Sequence, residues 1–131
     1  LTLAEWPQYD KAMKTVLLVE DNDFIRKMYL LKLDKSDAFD VIEAADGASA
    51  LAALKEKPID LVLLDIMMPN MSGLEVLEEM AKLKLKVPVI ILSNVMSAET
   101  RDVAARYGVK DYIIKSDLTP SQVLEKIIAA L

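Results

Sequence analysis

Five times along its 131 residues the chain passes through a short apolar run that stops at a polar side chain and gives way to a helix-start signal. The runs cover residues 15–19, 39–43, 61–64, 87–92 and 112–114. Alternation of this kind with short connections leaves little choice of architecture. It predicts an α/β domain, a doubly wound five-stranded parallel sheet with helices on both faces. Each run carries its own punctuation. Asn22 or Asp23 is placed to cap the first helix, Asp46-Gly47 opens the second, and Pro58 stops it. Ser97 caps the fourth, which closes at Tyr107-Gly108. Thr119-Pro120 with Gln122 is a capping box that starts the fifth. In the first helix Phe24, Met28 and Leu31 stand at helical spacing and read as its apolar face, with Arg26, Lys27 and Lys32 among the other positions. In the last, Val123, Leu124, Ile127, Ile128 and Leu131 read as the buried side.

The third run is the most informative. It is a fully apolar strand pattern that ends at one carboxylate, Asp65. Pro69 then presets a kink and holds Met68 extended, and Ser72 with Glu75 three residues on forms a capping-box pattern for the third helix. An acid at the carboxyl end of a central strand stands where open α/β sheets bind ligands. One such Asp is commonly just a polar stop, so its weight depends on what ends the other strands.

Parallel strands bring their carboxyl ends to one edge, and Glu20, Asp21, Asp65, Ser93 and Lys115 all fall there. Three crowded carboxylates raise one another's pKa unless a cation joins them. The chain contains neither histidine nor cysteine, so thiolate and imidazole sites and Ser-His-Asp catalysis are excluded. Any metal must take oxygen ligands, which favours Mg²⁺, with Mn²⁺ or Ca²⁺ as substitutes. A hydroxyl and an ammonium facing the carboxylates suit a phosphoryl group. Asp65 therefore reads as a nucleophile that accepts a phosphoryl group as an acyl phosphate. A net charge of -5 argues against broad nucleic-acid binding, and no apolar run is long enough to span a bilayer.

From about residue 14 to 131 these residues resemble the receiver domain of two-component response regulators, similar to the single-domain chemotaxis type. The resemblance rests on Asp65 with Met68-Pro69 and Gly73, on the pair Glu20-Asp21, and on Ser93, Tyr112 and Lys115 in order. It implies the flavodoxin-like strand order 2-1-3-4-5. It implies that Asp65 takes its phosphoryl group from a phosphohistidine on a sensor histidine kinase or phosphotransfer protein. Mg²⁺ would be held by Asp21, Asp65, the backbone carbonyl of Met67 and waters, one of them steadied by Glu20. Lys115 would pair with Asp65 in the empty site and with a phosphate oxygen afterwards. Ser93 would move onto the phosphate and Tyr112 would turn inward. The region 97–131 would carry the signal to a downstream protein, the chain being a monomer or a phosphorylation-linked dimer. Such a domain is a cytoplasmic switch that assists its own phosphorylation and dephosphorylation rather than a conventional enzyme.

Two positions depart from the family pattern. Asn94 stands where a very small residue is usual, which implies slower loss of phosphate. Ser116 replaces the usual proline after Lys115, so that peptide is expected to be trans. The rivals are weaker. An Asp-nucleophile phosphatase needs a second acid where Met67 stands, and a flavodoxin-like carrier lacks its phosphate loop after the first strand. A degenerate receiver serving as a phosphorylation-independent docking module would not need the acceptor, acid pair, hydroxyl and lysine together. Residues 1–12, with Trp6 and Tyr9, read as a vector-derived N-terminal extension, and 13–131 as the domain, with Met13 as native start. No secretory leader is evident, and an end directly after the fifth helix favours a stand-alone regulator.

Overall fold

Alternate strand residues face opposite sides of a sheet, and here both sides are apolar, so each strand must be covered twice. The computed structural model describes residues 13–94 and 96–131; the extension read at 1–12 lies outside them. The elements run β1 Lys14–Val19, α1 Asp23–Asp34, β2 Phe39–Ala44, α2 Gly47–Glu56, β3 Leu61–Leu64, α3 Gly73–Lys82, β4 Val89–Ser93, α4 Ala98–Arg106, β5 Asp111–Ile114 and α5 Pro120–Ala130. All strand pairs are parallel, in the order β2-β1-β3-β4-β5.

Two cores follow from the alternation. Leu17, Val19, Val62, Leu64 and Ile91 pack against α2, α3 and α4. Val16, Leu18, Leu61, Leu63, Ile90 and Leu92 pack against α1 and α5. Each fully buried aliphatic side chain contributes about 1.5–3 kcal/mol, which is why the central strands tolerate no polar interruption before their ends. At the amino edge Asp60 closes the register of β1 on β3, its carboxylate accepting from the Thr15 N–H at 2.8 Å.

Helix starts follow the caps in the sequence. Asn22, not Asp23, caps α1 by accepting from the Ile25 N–H at 3.0 Å. Thr119 and Gln122 form both halves of a capping box on α5. On α3 the Ser72 hydroxyl accepts from the Glu75 N–H, whereas the reciprocal bond is not made, so the box is half formed.

The face of α1 is a correction. Phe24, Met28 and Leu31 are 79, 39 and 66% exposed, and Arg26, Tyr29 and Leu33 are buried instead. Ile25, Tyr29 and Leu33 form a second apolar row at helical spacing, and Arg26 decides between the two. Its guanidinium donates to the Glu20 carbonyl at 2.9 Å and pairs with Asp23 and Glu43, which turns its own side of the helix inward. On α5, Val123 and Ile127 are buried and Leu124 and Leu131 partly so, but Ile128 is 47% exposed and lies off the core face.

Candidate functional site

Strand order reverses direction between β1 and β3, and the loops after these neighbours part to open a crevice at the carboxyl edge. A cleft of about 200 Å³ there is lined by Glu20, Asp21, Asp65, Ser93, Asn94 and Lys115, with Met67 at its rim. One carboxylate oxygen from each of Glu20, Asp21 and Asp65 lies within 4.8 Å of the others. The residues read from the sequence as one constellation thus share one cleft.

The backbone aims them. The Asp65 N–H donates to the Val19 carbonyl and the Lys115 N–H to the Ser93 carbonyl, so both side chains leave the sheet one residue past its regular ladder. Beyond Asp65 the chain turns sharply: Asn70 adopts a left-handed φ of 69°, and the Gly73 N–H donates to the Ile66 carbonyl at 2.8 Å. The start of α3 therefore sits on the Asp65–Ile66 backbone, where a Cβ at residue 73 would collide with the Asp65 carbonyl. The Met67 N–H donates to an Asp65 carboxylate oxygen at 3.3 Å, and the Met67 side chain is 68% exposed.

Lys115 pairs with both buried acids, but unequally. Its ammonium donates to the two Glu20 oxygens at 2.9 and 3.0 Å and stands 3.4 Å from Asp65. The expected pairing with Asp65 is present, and Glu20 is the closer partner. Burial, then a hydrogen bond shared with Asp65, pushes the Glu20 carboxyl up to about 7 against the opposing pull of Lys115. The folded protein therefore holds this proton more tightly than the unfolded chain. That contribution to stability is complete below pH about 4.5 and lost by about 7. The metal-free protein should lose on the order of 3 kcal/mol across this window. Urea titrations in EDTA over a pH series, with Glu20→Gln alongside, measure it, and a variant retaining the full slope would assign the loss elsewhere.

The Ser93 hydroxyl is buried and has no hydrogen-bond partner among the described residues. Buried hydroxyls are nearly always paired, so this one is free to bond a group bound in the cleft. Three convergent carboxylates also fit a hard divalent cation, which would offset their mutual repulsion. Tyr112 stands apart from the cleft, its hydroxyl donating to the Arg101 carbonyl on α4 at 3.2 Å with the Arg101 guanidinium 5.3 Å over the ring. Asn94 is exposed at the cleft rim, and the described residues contain no cis peptide, so Lys115–Ser116 is trans.

Arg26 is the residue that sequence reading missed. A buried guanidinium on the Glu20 carbonyl holds the acidic turn after β1 in place. The signal was Asp23 three residues before it, a pair that reads equally well as a solvated helix contact.

Comparison with known proteins agrees with this fold. The family model for the response regulator receiver domain matches residues 16–128. The chain is 38% identical over 104 residues to the transcriptional regulatory protein MalR of Bacillus subtilis, covering 79% of this chain and 44% of that protein. It is 30% identical over 118 residues to the alkaline phosphatase synthesis transcriptional regulatory protein PhoP of the same organism, covering 90% of this chain and 48% of that protein. It therefore spans less than half the length of these curated relatives. Among solved structures it resembles the Vibrio cholerae chemotaxis protein CheY4, with a TM-score of 0.83 at 28% identity, covering 92% of this chain and all of that one. A CheY-like receiver domain protein from Methanospirillum hungatei gives 0.80 at 30% identity, covering 88% and 91%. None of the described helices is long and apolar enough to cross a membrane.

Proposed function

The chain belongs to the response regulator receiver family of two-component signalling, and from that premise we propose that it is a phosphorylation switch with Asp65 as its acceptor. The observation that carries this reading is the Ser93 hydroxyl, without a partner among the described residues and buried in the same cleft as Asp65 and the Lys115 ammonium. An Asp65 oxygen attacks the phosphorus of a phosphohistidine on a kinase or phosphotransfer protein. The P–O bond forms as the P–N bond breaks, and the departing imidazole takes up a proton. Lys115 transfers its pairing to a phosphoryl oxygen, and the Ser93 hydroxyl donates to another. Asp21, Asp65 and the Met67 carbonyl would hold Mg²⁺, with Glu20 on a bound water, and the ion would supply charge neutralisation to the phosphoryl group. The new dianion then favours an arrangement in which Ser93 and Tyr112 shift inward and the surface 97–131 changes for a downstream protein.

Asp65 is only 5% exposed, so a protein donor has to dock on the cleft rim to reach it. Phe24, Met28 and Leu31 form an exposed apolar row on α1 that starts at this rim and suits that contact. Intact mass should show one added phosphate after incubation with acetyl phosphate and Mg²⁺, and none with EDTA. Phe24→Asp should slow transfer from a phosphohistidine protein by about tenfold and leave acetyl phosphate labelling unchanged. Equal slowing with both donors would place Phe24 in the chemistry rather than in docking.

A further inference from the structure

A second concavity lies away from the acid cleft. A groove of about 670 Å³ lies at the opposite, amino edge of the sheet, between the carboxyl ends of α3 and α4. Its floor is apolar, formed by Met80, Leu85 and Val89. Every charged residue that lines it is a cation: Lys84, Lys86, Arg106 and Lys110. This is a local reversal in a chain of net charge -5. Lys110 is engaged with the Ala130 carbonyl at the end of α5, 3.1 Å away. Lys84, Lys86 and Arg106 are exposed and make no ion pair among the described residues.

The backbone of Lys84 adds an independent observation. Both flanking helices end in the same motif: after α4 the Gly108 N–H donates to Ala105 and Val109 to Ala104, and after α3 the Lys84 N–H donates to Ala81 and Leu85 to Met80. The motif needs a left-handed residue. Gly108 fills it at φ 74° without strain, whereas Lys84 fills it at φ 56° with a Cβ that opposes the conformation. Lys84 thus holds an ammonium at the groove rim at a backbone cost that its counterpart Gly108 does not carry.

We propose that this groove docks an acidic peptide segment of a partner protein. Apolar anchors of the segment would rest on the floor, and its carboxylates would lie on Lys84, Lys86 and Arg106. The concave shape between two helix ends fits a chain segment rather than a flat bilayer. The net negative charge of the domain opposes a densely charged nucleic acid far more than a peptide with a few carboxylates. The groove lies across the sheet from Asp65, so its occupant leaves the acceptor uncovered.

Random peptides displayed on phage, selected on this chain and counter-selected on the triple variant Lys84→Glu, Lys86→Glu, Arg106→Glu, test the assignment. Peptides that combine Asp or Glu with Leu, Ile or Phe should be enriched. In a ¹⁵N NMR titration an enriched peptide should shift the amides of residues 84–89 and 106–110. Lys84→Gly, which relieves the left-handed strain, should keep or raise the melting temperature while weakening the peptide by about fivefold. The proposal is overturned if nothing is enriched, if the enriched peptides lack acidic residues, or if the triple variant recovers them equally well. It is likewise overturned if phosphatidylglycerol vesicles, duplex DNA or rising concentration of the chain itself shift these amides and no peptide does.

Discussion

Asp65→Asn should leave a folded protein to which neither acetyl phosphate nor a phosphohistidine donor adds any phosphate. The two side chains are nearly isosteric, so Lys115 keeps its two bonds to Glu20, and the buried acid cluster loses one of its charges. The amide lacks the anionic oxygen that must attack phosphorus, and no histidine or cysteine in the chain can replace it. The metal-free variant should be at least as stable as the wild type, since a source of carboxylate repulsion is gone. Intact mass and melting temperature measured on one preparation separate the two effects. A phosphate adduct of undiminished yield would move the acceptor to another residue, and an unfolded variant would make Asp65 structural.

Gly73→Ala should destabilise the domain by about 3 kcal/mol, the upper end of the usual cost of overpacking. A Cβ at this position would collide with the Asp65 carbonyl and lie 2.8 Å from the Ile66 Cα. Both are backbone atoms of the strand end, unable to rotate away as a side chain would. The strain can be relieved only by moving α3 off β3 or by moving the Asp65–Met67 turn, so phosphorylation should fail in whatever fraction still folds. Gly108→Ala is the internal control. It meets nothing within 4 Å, and its cost comes only from the left-handed φ, about 1 kcal/mol. Urea denaturation of the two variants gives the comparison, and a Gly73→Ala protein no less stable than Gly108→Ala would mean that α3 is free to slide.

The five-strand alternation, the continuous apolar runs of β1, β3 and β4, and the helix caps at Ser97 and Thr119 were all legible because each depends on residues close together in the chain. The meeting of Glu20, Asp21, Asp65, Ser93 and Lys115 was legible for a different reason: parallel topology sends every strand end to one edge, whatever the loops do. Gly73 was visible only as part of a motif, since its need is set by how closely α3 approaches β3.

Local patterning thus determined which segments form strands and helices, where helices start, and which side chains reach the carboxyl edge. On α1 it pointed to the row Phe24-Met28-Leu31, whereas the row that faces the core is Ile25-Tyr29-Leu33. Only the tertiary structure chose between them, because the bond from Arg26 to the Glu20 carbonyl fixes the rotation of the helix on the sheet. The preference of Lys115 for Glu20, ninety-five residues away, was decided in the same way. So was the gathering of Lys84, Lys86 and Arg106 around one groove. Hydrophobic periodicity is a property of neighbours in sequence, whereas distances of a few ångströms between charged groups exist only once the elements have packed.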